Sequence, residues 1–125
     1  LINNGRNYHN VFIFTHQVIW YNANNSIFAK VEPNSWEGYS DITNFWNEVF
    51  PVISKIGKKI YLFAGDVGAF SNNSEFFYAK HDNVQFFATG MGGGERDNFL
   101  IASVINGTVN VALIPLNEIS NNKEN

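Results

Sequence analysis

The stretch Ile60-Tyr61-Leu62-Phe63-Ala64-Gly65-Asp66-Val67-Gly68 decides how this chain folds. Five apolar residues in unbroken succession suit a strand buried on both faces, because a strand with one wet face alternates apolar with polar. Gly65 and Gly68 break the run and let the backbone turn tightly, which displays Asp66 at the strand end. Upstream, Val11-Phe12-Ile13-Phe14 has the same character and ends at Thr15-His16. Between the two runs, Phe45, Val49, Val52, Ile53 and Ile56 recur near helical spacing. Ser40 or Asp41 caps this helix, Gly57 with Lys58 and Lys59 marks its end, and Pro51 inside it predicts a kink. Strand, helix and strand of these lengths predict a right-handed crossover between parallel strands.

Beyond these runs, residues 17–39 lack a clear period and hold Asn22, Asn24, Asn25, Pro33, Asn34 and Gly38, which predicts a long loop, with or without a short helix in it. Loops of that length in a compact domain are usually functional or mobile. The second half reads as β-rich. Phe76–Ala79, Val84–Ala88, Phe99–Val104 and Val109–Ile114 are strand-like, His81-Asp82-Asn83 is a turn, and Asn106-Gly107 is a hairpin signal. Met91-Gly92-Gly93-Gly94 is a glycine-rich connection, and the polar tail from Asn117 is expected to fray. The fold class is therefore α/β (mixed αβ): one domain over residues 1–125, a strand–helix–strand crossover followed by mainly antiparallel strands. One helix cannot cover both faces of such a sheet, so a covering layer is expected to be missing.

Composition narrows the function classes. The 125 residues are 45% hydrophobic and 15% charged, with twelve Phe, enough to bury a core. Net charge is −3 and Lys58-Lys59 is the only adjacent basic pair, which argues against a nucleic-acid or anionic-membrane footprint. No apolar run approaches the roughly 20 residues of a membrane span. There is no Cys, so disulfides and thiolate metal sites are excluded. The chain opens on Leu1 rather than Met, and its natural start is expected to lie upstream. Twenty Asn suggest compositional bias, which devalues the sequons at Asn24, Asn72 and Asn106.

Two residues could carry chemistry. His16 and Asp66 each follow a buried strand, and sites in α/β folds collect at the carboxyl ends of parallel strands. A neutral imidazole and a carboxylate both bind divalent metals. The competing readings are a strand-end His that simply hydrogen-bonds and an Asx-type turn at Asp66. The glycine loop could cradle an anion but matches no phosphate-binding motif. His9 and His81 read as surface residues, and Trp20, Trp36 and Trp46 as packing. No nucleophile elbow is present.

Three segments together resemble the C-terminal half of a calcineurin-like metallophosphoesterase domain. FIFTHQVIW (residues 12–20) is similar to the family's strand ending in Thr-His, FWNEVFPVISKI (45–56) with IYLFAGDVGAF (60–70) to the stretch leading into its Gly-His-x-His motif, and VQFFATGMGGGERDNFLIASVINGTVNVALIPL (84–116) to its closing strands. The resemblance implies a partial metallophosphoesterase-like β-sandwich. It also implies a parent that hydrolyses phosphate mono- or diesters with divalent metal (Mn, Fe, Mg or Zn), and metal ligation by His16 and Asp66. Asp66 stands at the first His of Gly-His-x-His and Gly68, which cannot ligate, at the second; the family's Asp-x-His, Gly-Asp and Gly-Asn-His motifs are absent. The expectation is a fragment that is inactive alone, with metal held weakly or not at all. The alternative is a self-associating interaction module, a homo-oligomer covering an exposed sheet face.

Overall fold

The computed structural model describes residues 8–31, 33, 44–67, 76–90 and 97–116. It is a mixed α/β arrangement of six strands, β1 (Asn10–Thr15), β2 (Lys59–Ala64), β3 (Phe76–His81), β4 (Val84–Thr89), β5 (Asn98–Ile105) and β6 (Thr108–Pro115). The first four form one sheet in the order β1-β2-β4-β3, and the last two form a separate hairpin. β1 pairs parallel with β2, β2 parallel with β4, and β3 antiparallel with β4. The central strands β2 and β4 are the most continuously buried, as their unbroken apolar runs require.

The turns follow the sequence signals. Asn106 and Gly107 both take positive φ, +50° and +77°, which is the I′ pattern whose twist matches the flanking strands. A two-residue turn, Asp82-Asn83, joins β3 to β4, with Asp82 at φ +52°. It is tied to the start of β2: the Ile60 N–H donates to the Asn83 carbonyl at 2.9 Å, and Asn83 Nδ2 donates to the Lys58 carbonyl at 2.8 Å.

The crossover helix departs from a regular α-helix. Phe45–Val49 is a π turn, α1 is only Phe50–Ile53, and Ser54–Ile56 is a 3₁₀ turn. Pro51 explains the break: it has no N–H to offer the Asn47 carbonyl, and its ring crowds that group. The wider turn relieves this, with the Phe50 N–H reaching the Phe45 carbonyl. Gly57 ends the helix in the left-handed conformation, φ +68°, as expected of that position. The expected cap at Ser40 or Asp41 lies outside the described residues.

Each face of the sheet has its own cover, so the expected missing layer is only partly missing. On one face, Ile60, Leu62, Val84 and Phe86 pack against Phe45 and Ile53 of the helical segment and against Val18, Trp20, Phe28 and Val31. Those last four belong to the segment expected to be a loose loop. Among its described residues the one helical turn is the 3₁₀ piece Phe28–Lys30, and they are held inward by their large side chains and by Trp46 Nε1, which donates to the Trp20 carbonyl at 2.9 Å. On the other face, Tyr61, Phe63 and Phe87 pack under Leu100, Val109 and Val111 of the hairpin. Asn10 Nδ2 donates to the Gly107 carbonyl at 3.0 Å and pins the hairpin tip to β1. Two strands span about 10 Å and four about 19 Å. The hairpin therefore leaves the sheet margins bare: Phe14 on β1 is 73% exposed and Tyr78 on β3 51%.

Gly90, just past β4, lies against the backbone of Val67, where a Cβ would collide with the Val67 carbonyl oxygen. That contact lets the Val67 N–H bond the Thr89 carbonyl at 3.2 Å. Backbone cannot yield as a side-chain tip can, so Gly90→Ala should destabilise by about 1–3 kcal/mol, the cost of overpacking. Urea unfolding checks this; an unchanged midpoint would show that the approach is not tight.

Candidate functional site

The carboxyl ends of β1, β2 and β4 form one edge of the sheet. The register Thr15↔Ala64 on β1 and β2 places His16 beside Gly65, and the Gly65 N–H donates to the His16 carbonyl at 3.2 Å. The two candidate ligands thus follow neighbouring parallel strand ends, which is what the shared strand-then-polar-residue pattern implied. Their surroundings differ. His16 is exposed, whereas Asp66 is buried at 4% exposure. Asp66 sinks because the next residue, Val67, is anchored on both sides: it bonds Thr89 as described and forms a bridge with Pro33.

Thr15 reinforces the edge. Its Oγ1 lies 2.8 Å from the Gln17 carbonyl and 3.2 Å from the Phe63 carbonyl, within donating distance of both acceptors. This holds the chain as it leaves β1 and orients the His16 backbone. Asp97 approaches the same edge: the neighbouring Asn98 N–H donates to the Gly90 carbonyl at 3.4 Å, and the Asp97 carbonyl accepts from the Leu116 N–H at 2.8 Å. Only the pairing of the hairpin with Gly90 brings it there, and no local signal in Glu95-Arg96-Asp97 announces that.

The other two histidines sit at the opposite edge. His9 precedes Asn10, which is level with Lys59, and His81 is level with Val84 at the start of β4. A strand of six residues separates them from His16 by about 20 Å. His81 packs near the rings of Phe50 (5.0 Å) and Trp46 (6.0 Å), and both histidines are exposed, consistent with surface roles. Trp20 and Trp46 pack in the core, as expected; Trp36, Gly68 and the Gly92–Gly94 loop lie outside the described residues.

Among the described residues, the expected ligands at the strand-end edge are one exposed imidazole, His16, and one buried carboxylate, Asp66, with Asp97 brought near by its backbone bonds. Among the described residues, no group of three or more His, Cys, Asp or Glu comes together to hold a metal ion. Nor does any helix among them have the length and apolarity to cross a membrane. Beside the edge, on the hairpin side, opens a cleft of about 420 Å³ floored by Phe14 and Phe63.

Comparison with known proteins gave no match: no protein-family model, no curated protein and no solved structure matches this chain.

Proposed function

We propose that this chain carries part of a divalent-metal site for phosphate-ester hydrolysis, akin to the C-terminal half of the calcineurin-like metallophosphoesterases, and that it does not turn over substrate alone. The observation that carries this reading is the placement of His16 and Asp66 after adjacent parallel strand ends, joined by the Gly65 N–H to His16 carbonyl bond. An imidazole nitrogen and a carboxylate oxygen suit Mn, Fe, Mg or Zn. A bound cation pair would polarise the phosphate oxygens and activate water, which requires two metals roughly 3.5–4 Å apart. Two ligands can contribute to one cation and cannot hold both. The chain's own part is to supply one exposed imidazole and one buried carboxylate after neighbouring strand ends.

The test is calorimetric titration with Mn²⁺ on the chain and on His16→Ala, with an aryl phosphate assay alongside. The expected result is weak binding, abolished by the substitution, with no turnover. Tight binding with robust hydrolysis would mean a complete enzyme and contradict the reading. So would a titration that His16→Ala leaves unchanged.

A second reading rests on a separate observation. The hairpin from Asn98 to Pro115 contains no charged residue. Ile101 and Ile105 are 49% and 62% exposed on its outward face, and Val104 is 54% exposed on the other. A sheet apolar on both sides is usually buried on both, and edges without charge do not repel a second strand. We propose self-association of the hairpin as a compatible role. Light scattering across a concentration series should show a dimer that the double substitution Ile101→Lys with Ile105→Lys returns to monomer. A monomer at the highest concentration would remove this reading.

A further inference from the structure

The outer face of the sheet carries a row of aromatic rings set by register. Phe14 stands opposite Phe63, Phe63 opposite Phe87, and Phe87 opposite Tyr78, one ring from each strand. Their centroids are 5.2, 5.1 and 5.0 Å apart along the row. The first two pairs are nearly parallel, with interplanar angles of 16° and 15°. The spacing is that of neighbouring strands, so each ring stacks on the next as the sheet crosses from one side to the other. β1 is the edge strand of its sheet, and the row therefore ends on Phe14, 73% exposed.

A stack that ends on an open ring can be continued by another planar ring through the same offset contact. The cleft of about 420 Å³ starts there. Phe14 and Phe63 form its floor, Leu100 and Ala102 of the hairpin face them, and Thr15 and Thr89 close the strand-end side. The volume falls in the range of small-ligand pockets, which combine apolar walls with a few polar groups. Among the described residues no charged side chain lines it, and these walls suit a neutral ring rather than an ionised group. Gly65, whose N–H bonds the His16 carbonyl and which precedes Asp66, also borders the cleft.

We infer that this cleft seats the planar aromatic group of an aryl phosphate ester, with the ring on Phe14 and the phosphate directed to the edge that carries His16 and Asp66. The ester part rests on the phosphoesterase reading above. The ring site stands on the stack and the cleft alone.

The probes are 4-nitrophenol, buffered on the acid side of neutrality so that it stays protonated, and 4-nitrophenyl phosphate, followed by saturation-transfer NMR and calorimetry with and without Mn²⁺. The chain should bind 4-nitrophenol without metal, Phe14→Ala should weaken it by up to about tenfold, and Phe14→Trp should retain it. Phe14 is so exposed that both variants should fold, which an unchanged urea midpoint verifies. In the presence of Mn²⁺ the phosphate ester should bind more tightly than the phenol, and His16→Ala should erase that gain alone. Absence of phenol binding, or equal binding by Phe14→Ala, overturns the ring site even where Mn²⁺ binds. Ring binding with no Mn²⁺-dependent gain for the ester overturns the assignment of the ring as part of a phosphate ester; Mn²⁺ binding that His16→Ala abolishes would then leave the phosphoesterase reading standing, and its absence would remove that reading as well.

Discussion

Both faces of this fold depend on the parallel pairing of β1 with β2 and of β2 with β4. A parallel pair cannot be closed by a tight turn; it needs a crossover long enough to return the chain to the starting end. Here the crossover between β1 and β2 carries Trp20, Phe28, Val31, Phe45 and Ile53, all buried against one face of the sheet. Closing so long a loop costs entropy that grows only slowly with length, and the burial of these side chains offsets it. The same pairing sets the register Phe14↔Phe63↔Phe87 on the other face and places His16 next to Gly65. Core, aromatic row and candidate site are three consequences of one register.

Much of this was legible from local pattern. The six strands, the Asn106-Gly107 turn and the helix stop at Gly57 each have a local physical signature, and each stands where that signature lies. What local pattern could not show was assembly. Nothing in Phe76–His81 says that β3 takes the edge while β4 inserts next to β2. The segment after His16 shows no period because its described part is mostly irregular, with one 3₁₀ turn at Phe28–Lys30, yet its large side chains make it a covering layer. The expectation of a missing layer came from counting helices, and that count overlooked irregular chain as cover. The helix itself was expected to kink at Pro51; the structure resolves the conflict by widening the preceding turn.

The candidate site was half legible for the same reason. His16 and Asp66 both follow an apolar run, so their approach to one edge follows from parallel pairing. Their unequal burial depends on Val67, anchored to Thr89 and Pro33 and packed against Gly90, which are contacts distant in sequence. The approach of Asp97 depends on the hairpin docking beside Gly90. The aromatic row was invisible as a row, since its four members come from four strands and align only once the register is known. At the strand-end edge one exposed imidazole, one buried carboxylate and the open end of the ring row lie close together, beside a hairpin that carries no charged residue.

The most direct test of that account is paramagnetic broadening by Mn²⁺ in the amide NMR spectrum of the whole chain. Substoichiometric Mn²⁺ should broaden His16, Gly65 and Asp66 first and leave His9 and His81 at the opposite edge sharp. Broadening that begins at His9 or His81, or that spreads evenly over surface carboxylates, would contradict it and take the metal site away from the strand-end edge.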